Sequence, residues 1–314
     1  MSSRTYYDPL HQSITLNSSI PEEKMVMELI DSSPFQRLRR IKQLGPAYLT
    51  FHGAESSRFT HSLGVFHLAR RAINHLLNVD SGLKEHKFII YGAALLHDLG
   101  HGPLSHTSEE IFKIKHESWT AKLINSSNEI TTILNKYGKG NAKAISDLIQ
   151  SRKAEKKSII SLISSQLDCD RLDYLMRDSY TTGARYGQLD IDRIISAMTI
   201  SPDGDLAIHP KGLMAVEHYL VIRNLMYRSV YNHRLNEVCN WLLEQIIKTA
   251  RKIGPQNLWA DKSMSEWLWN HEKMSLESFL SNDDTVTDII SIDGKTVVPT
   301  IYLVFVSALY IEIY

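Results

Sequence analysis

An all-α fold with one small β-hairpin is the expectation from this sequence, and three observations carry it. Apolar residues recur at i, i+3 and i+4 through most segments between residues 22 and 280, the period of a helix with one buried face. A strand–turn–strand pattern stands out once, in ISPDGDLAIHP (200–210), around Asp203-Gly204. The 314 residues contain no internal repeat, low-complexity tract or convincing linker, so one large helical core at 1–255 is expected, with an extension at 256–314.

The elements follow in order. Residues 22–31 open after Pro21 with Glu22-Glu23, a favourable helix start. Residues 34–44 begin on Pro34 at a first-turn position and stop at Gly45-Pro46. Residues 61–78 read as a long amphipathic helix and 87–99 as a buried one. Helical patterns recur at 107–126, 128–136, 141–151, 156–180, 190–198, 211–251 and 263–280. Within 211–251, periodicity assigns Leu220, Leu225 and Val230 to the core, with Tyr219 and Tyr227 joining them.

Composition bounds the partners. Lys+Arg and Asp+Glu balance at 35 each, so no global field draws nucleic acid or an anionic membrane, although a local basic cluster can still hold a small anion. Cys169 and Cys239 are the two cysteines, which makes a disulfide framework unexpected and fits a reducing cytoplasm. The N-terminus lacks the apolar stretch of a signal peptide. The apolar end, TVVPTIYLVFVSALYIEIY, is about as long as a membrane span but is interrupted by Pro299 and Glu312, and its β-branched and aromatic content suits buried strands equally well, so a tail anchor is not the expectation. An α+β character is therefore allowed for the C-terminal portion.

Chemistry concentrates in three stretches. In YGAALLHDLGHGPLSH, an apolar run delivers His97 and Asp98 side by side, and His101 and His106 follow. Imidazole plus carboxylate suits a divalent metal, and Gly100 and Gly102 permit the turn that lets both ligands face one ion. In SRFTHSLGVFHLARR, Arg58 and His61 lie three apart, offering a guanidinium fork and a ring nitrogen on one side of a helix. In LDCDRLDYLMRDSY, Asp170, Tyr174 and Asp178 form one helical stripe with Arg171 beside it, while Asp173 and Arg177 read as an exposed i,i+4 pair.

These stretches sit among YDPLHQSITL, SSPFQRLRRIKQLG, KHESW and DCDRLDYLMRDS. In order and spacing the set resembles the HD-domain deoxynucleoside triphosphate triphosphohydrolases, from residue 7 to about 240. The resemblance implies an HD-domain helical fold with His61, His97, Asp98 and Asp170 as ligands of a divalent ion (Mg, Mn, Fe, Ni or Zn). It implies His101, His106 and His116 as inner catalytic histidines, with His116 protonating the leaving 5′-oxygen and Glu109 orienting it where the family has an aspartate. Arg58, Arg171 and Arg223 would bind phosphate. Arg171 stands where a family lysine does, exchanging a point contact for a fork. Tyr174 and Asp178 would hold the sugar 3′-hydroxyl, Gln43 and Leu44 would close over the sugar, and Tyr231 would pack at C2′ and exclude ribose.

The family also implies a homo-oligomer, from dimer through tetramer to hexamer, and in some members a regulatory nucleotide. Asp31, Gln36 and Arg39 match part of that second site, whereas Tyr7 replaces an expected asparagine. Glu110, Arg37, Arg40 and Lys42 read as solvated charge. The C-terminal end does not resemble the family's continuation, and a truncated or divergent end is the expectation there. The activity implied is hydrolysis of a deoxynucleoside triphosphate to deoxynucleoside and triphosphate. The alternatives are an HD phosphohydrolase for another nucleotide phosphate and a nucleotide-sensing module. No GYP-type motif follows the HD pair, which argues against a cyclic dinucleotide phosphodiesterase.

Overall fold

The computed structural model describes residues 3–285 apart from 187 and 259. The apolar end, with the expectations attached to it, lies outside the described residues. The chain opens with an antiparallel hairpin, β1 (Ser3–Asp8) and β2 (Gln12–Asn17), in register from Ser3 opposite Asn17 to Asp8 opposite Gln12. Period-two alternation puts Ile14 and Leu16 inward, and the Asp8 carboxylate accepts from the backbone N–H of Leu10 and His11 to tighten the turn. This hairpin was not among the elements expected; its TYYD and QSITLN segments carry the alternation, but too briefly to stand out.

Helices then follow almost without interruption. They run α1 (Pro21–Asp31), α2 (Ser33–Gln36), α3 (Arg58–Leu76), α4 (Lys87–Leu96), α5 (His106–Phe112), α6 (His116–Ser126), α7 (Asn128–Lys136) and α8 (Asn141–Ser151). Next come α9 (Lys157–Ile163), α10 (Cys169–Thr182) and α11 (Ile191–Ala197). The expected second hairpin forms as β3 (Met198–Ile200) and β4 (Leu206–Ile208), and α12 (Leu213–Met226), α13 (Arg234–Ile253), α14 (Lys262–Trp269) and α15 (Leu276–Ser281) complete the described chain.

Five long helical patterns are broken: residues 263–280 give α14 and α15 with a 3-10 turn, His271–Lys273, between them, and the other four break elsewhere in the chain. Residues 34–44 give one α-turn and then a 3-10 turn, Arg37–Arg40. Residues 107–126 split at Lys113, which adopts a left-handed conformation (φ 59°). Residues 156–180 split before Asp168, whose side chain caps α10 by accepting from the Arg171 N–H. Residues 211–251 pass through a π-helical turn at Tyr227–Tyr231.

That wider turn slips the register by about one residue. It brings Val230 inside while Tyr227 comes out 38% exposed, so Tyr227 is not a core residue as periodicity had it. Leu220 is likewise on the outer face, 50% exposed beside Val221, because α12 has no neighbour on that side among the described residues. Leu225 is half-buried. Tyr219 and Val230 are buried as expected.

The hydrophobic centre lies where α4 meets α3, α1 and α8. Helix α4 is apolar all round, so it can be buried on every side. Helix α10 crosses the other flank of α3, and the crossing is close at Gly64. A Cβ there would fall 1.9 Å from the Asp173 carboxylate, so only glycine lets the helices meet. Helices α14 and α15 close the bottom, where Trp267 meets Phe112 edge-on (4.9 Å between centroids) and Phe279 stacks on Trp119 (4.3 Å).

Gly64→Ala forces α3 and α10 apart, and a loss of about 1–3 kcal/mol in urea unfolding is expected. Lys143→Ala, on an exposed face of α8, should stay within about 0.5 kcal/mol of the parent in the same measurement.

Candidate active site

Helix α3 begins under a cap in which Ser57 accepts from the Thr60 N–H, and its first turn carries Arg58 and His61 inward. Helix α4 ends at Leu96, so His97 and Asp98 emerge from the core at its C-terminus. Gly100 then lets the chain lie against the start of α6. A Cβ on it would meet the His116 carbonyl oxygen at 2.2 Å, so this glycine serves a close approach rather than a turn. Helix α10 supplies Asp170 from its first turn.

The four expected ligands converge. His61 Nε2 lies 3.0 Å from Asp170 Oδ1, 3.3 Å from His97 Nε2 and 3.6 Å from Asp98 Oδ2. His97 Nε2 lies 3.4 Å from Asp98 Oδ1 and 3.8 Å from Asp170 Oδ1. Bonds of roughly 2.0–2.2 Å to one ion put adjacent ligand atoms at about these separations.

The far side of each ring supports the same reading. His61 Nδ1 is 2.8 Å from Asp173 Oδ2, and His97 Nδ1 is 2.9 Å from the Ala94 carbonyl. With those nitrogens donating, both Nε2 lone pairs face the centre, the orientation that a metal-binding histidine needs. Burial opposes charge on His61, yet hydrogen bonds with Asp170 and Asp173 push its pKa up to about 10. The three carboxylates around it call for a positive charge, and a divalent cation can supply one.

Asp173 and Arg177 correct the sequence reading. Far from being an exposed pair, both are buried, because the stripe they occupy faces α3 and the N-terminal hairpin rather than solvent. The Arg177 guanidinium donates to both Asp173 oxygens (2.8 and 3.0 Å) and to Asp8 Oδ2 (2.9 Å), and His11 Nε2 lies 2.6 Å from Asp173 Oδ1. Asp8, His11, Asp173 and Arg177 thus form the support behind His61. Asp8 and His11 belong to the YDPLH stretch, whose aspartate and histidine were the available signal.

Arg58 is buried and fully engaged. It donates to Asp98 Oδ2 (2.6 Å), Ser105 Oγ (3.2 Å) and the Gln43 carbonyl (3.0 Å). It therefore ties a metal-ligand candidate to the two loops above it. Burial raises the Asp98 pKa, but Arg58 and its histidine neighbours override that and hold it well below the usual carboxylate range. Leu104 and Ser105, in one of those loops, adopt positive φ (63° and 50°), an unfavourable state for side-chain-bearing residues. Ser105 Oγ donates to the Lys42 carbonyl (2.6 Å), and the Leu104 N–H donates to Asp284 (2.8 Å), which fixes the strained turn.

A second cluster lies beside the first. Glu109 Oε1 sits 2.9 Å from His116 Nδ1, 3.1 Å from His101 Nδ1 and 3.3 Å from His106 Nδ1. The His101 and His116 rings stack at 3.9 Å, and their pKa values are driven apart. Burial, with Arg58 and His116 nearby, lowers His101 to about 3. Burial also opposes charge on His116, but the Glu109 hydrogen bond and the Asp98 charge raise its pKa. One ring is biased toward the neutral form and its neighbour toward the charged one. His106 is largely exposed at the rim.

Beyond the clusters opens a cavity of about 400 Å³. Gln43, Leu44, Tyr174, Asp178 and Tyr231 line it. Tyr231, brought round by the π-helical turn, donates to Asp178 Oδ2 (2.9 Å), while Asp178 Oδ1 is buried without a partner. Burial lifts Asp178 to about 7. Arg171 and Arg223 lie on the side where α10 meets α12, held by Asp168 (2.5 Å) and Gln166 (2.9 Å), and Arg171 Nε has no partner.

Asp31, Gln36 and Arg39 sit apart from this site. Asp31 pairs with Arg4, and Arg39 donates to Gln36 and covers the Phe59 ring. Glu110 and Arg40 are exposed as read, and Lys42 is partly exposed. Arg37 is not: it is buried, donating to the Asn282 and His101 carbonyls, because α15 and the turn after it cover its loop.

Comparison with known proteins places these residues in context. A profile of the HD domain matches residues 58–177, and one of the HD associated region matches residues 189–281. The protein YwfO of Bacillus subtilis is 36% identical over 298 residues, covering 94% of this chain and 64% of its own. A deoxynucleoside triphosphate triphosphohydrolase SAMHD1 homolog of Dictyostelium discoideum is 31% identical over 241 residues, 72% of this chain and 46% of that one. The chain spans about half to two thirds of the length of the curated relatives it matches. Among solved structures, a phosphohydrolase from Bacteroides thetaiotaomicron superposes with a TM-score of 0.77 at 31% identity, covering 90% of this chain and 70% of that one.

Asp173→Asn removes the charge behind His61 while leaving Arg177 its bond to Asp8. Affinity for Mn²⁺, measured by calorimetry on chelator-stripped protein, should fall about 10- to 100-fold. Added Mn²⁺ should also raise the melting temperature of the parent, and chelator should reverse the rise.

Proposed function

The chain belongs to the HD-domain phosphohydrolase family, and from that premise we propose that it hydrolyses deoxynucleoside triphosphates to deoxynucleoside and inorganic triphosphate. The observation that carries this reading is the continuity of the site. The His61–His97–Asp98–Asp170 centre adjoins the stacked His101–His116 pair, and these lead to the Tyr231–Asp178 shelf of an adjoining cavity.

In this reading His61, His97, Asp98 and Asp170 would hold a divalent cation, which would polarise the phosphoryl group and lower the pKa of a water. The chain's own groups do the rest. Arg171 and Arg223 hold the polyphosphate, Arg171 through the nitrogen it leaves unpaired, while Arg58 steadies Asp98 and faces phosphate once substrate is bound. Asp178 Oδ1 accepts from the sugar 3′-hydroxyl beside Tyr174. The Tyr231 ring fills the space a 2′-hydroxyl would need, and Gln43 and Leu44 close the sugar side. As water attacks the α-phosphorus, His116 gives its proton to the departing 5′-oxygen. Glu109 keeps that ring charged and aimed, His101 stays neutral beside it, and His106 guards the rim.

The catalytic core is placed at 1–255 with 256–314 as an extension. Asp31, Gln36 and Arg39 form the candidate face for a second nucleotide, in a homo-oligomer. No helix among the described residues is long and apolar enough to cross a membrane.

The test is product analysis on a panel of dNTPs, with and without chelator and with Mg, Mn or Fe restored. Nucleoside plus triphosphate is expected; monophosphate plus pyrophosphate would overturn the reaction proposed. His97→Ala with Asp98→Ala should abolish release, and persistence at the parental rate would remove the centre from the chemistry. His116→Ala should lower kcat by about 10²–10⁴-fold. Glu109→Ala withdraws the carboxylate that raises the His116 pKa, so the acid is lost at lower pH. The alkaline limb of the kcat–pH profile should therefore move to lower pH.

A further inference from the structure

The cavity beside the histidine clusters has a mixed polar lining, with donors such as Thr107 and Asn232 among its acceptors. Three of its side chains, Gln43, Asp178 and Asn236, are each at least nine-tenths buried, and each keeps a side-chain oxygen without a hydrogen-bond partner: Gln43 Oε1, Asp178 Oδ1 and Asn236 Oδ1. A buried acceptor left empty costs on the order of 1–3 kcal/mol, so three around one cavity call for a ligand that brings donors. Glu110 and Glu237 add carboxylates at the wall, no lysine or arginine lines it, and His106 is the basic side chain at its rim.

Asp178 and Gln43 flank the place proposed for the sugar, but Asn236 does not. It lies in the first turn of α13, a different element from those that carry Gln43 and Asp178. Its orientation is set: Nδ2 donates to the Val230 carbonyl at 2.8 Å, inside the π-helical turn, so the oxygen is the atom left over. One turn along α13, Asn240 Oδ1 accepts from Thr107 Oγ1 at 2.8 Å, which commits its oxygen and leaves its amide to donate. The deep acceptor thus has a donor neighbour on the same wall.

We infer that this wall reads the nucleobase, and that Asn236 Oδ1 selects bases carrying an exocyclic amino group over thymine. The inference rests on the proposed dNTP reading. Adenine, cytosine and guanine bring an amino group as donor. Thymine carries a carbonyl oxygen where 5-methylcytosine carries the amino group, so an acceptor would face Asn236 Oδ1. A site built around a hydrogen bond rejects the analogue lacking it more strongly than an apolar pocket rejects a size change.

The test compares two nucleotides of nearly the same shape, 5-methyl-dCTP and dTTP, which differ at the 4-amino versus 4-oxo position and its neighbouring nitrogen. With full-length parental protein and Mn²⁺, kcat/KM for 5-methyl-dCTP is expected to exceed that for dTTP by about tenfold or more. Asn236→Leu should shrink the ratio to within about threefold, and Asn240→Ala, which leaves the Val230 bond intact, should shrink it partly. Equal kcat/KM for the two nucleotides in the parent overturns the inference, as does an unchanged ratio in folded Asn236→Leu. Equilibrium dialysis of both nucleotides supplies the same comparison without turnover. A binding preference for 5-methyl-dCTP with no hydrolysis would overturn the reaction proposed and uphold this wall; hydrolysis of both at equal rates does the reverse.

Discussion

The buried carboxylate of Asp173 is the constraint on which the rest of this site hangs. It sits where α10 crosses α3, against a glycine that alone permits the approach, and it touches His61, His11 and Arg177 together. A lone charge so placed would be expensive; Arg177 neutralises it, and Asp8 in turn satisfies Arg177. Such an ion pair is weak evidence for stability, because desolvation consumes much of the Coulombic gain. Its value here is positional. It fixes the His61 ring and its tautomer, and it joins the N-terminal hairpin to the helix bearing Asp170, Tyr174 and Asp178.

A second constraint acts through Glu109. One carboxylate faces three imidazoles, and what separates their behaviour is depth and neighbours. His101 lies deepest, beside Arg58, and burial there defeats the carboxylate. His116 lies closer to Glu109, and that hydrogen bond together with the Asp98 charge raises its pKa. Two histidines in stacking contact thus have their pKa values driven in opposite directions in one small volume, which is how a single residue type can serve two roles. The strained Leu104–Ser105 turn sets this cluster against the cavity, and Arg58, Lys42 and Asp284 hold it there.

Legibility in the sequence followed the range of the interaction. The helices were readable where amphipathic periodicity ran uninterrupted, as in α3, α7 and α8. It misled where a single local event broke the period: the left-handed Lys113, the Asp168 cap and the π-helical turn that turned Tyr227 outward. The pair Asp173–Arg177 shows the limit most clearly. Its i,i+4 spacing is that of a common surface pair, and nothing local says that the face carrying it will be covered. Arg37 was misread for the same reason, since the segment that buries it lies some 245 residues away.

What the sequence determined by itself was the identity of the chemical groups and their order along the chain. The HD pair, the Arg58–His61 spacing and the Asp170–Tyr174–Asp178 stripe are short-range patterns, and the helical period turns them into shared faces. What the tertiary structure alone decided was which groups meet across elements: His11 and Asp8 behind Asp173, three histidines on one glutamate, and Asn236 on the wall of a cavity it shares with Gln43 and Asp178. Those contacts join residues far apart in sequence. Burial, which sets their charge states and leaves some of their oxygens unpaired, is a property of the packed molecule that no local pattern encodes.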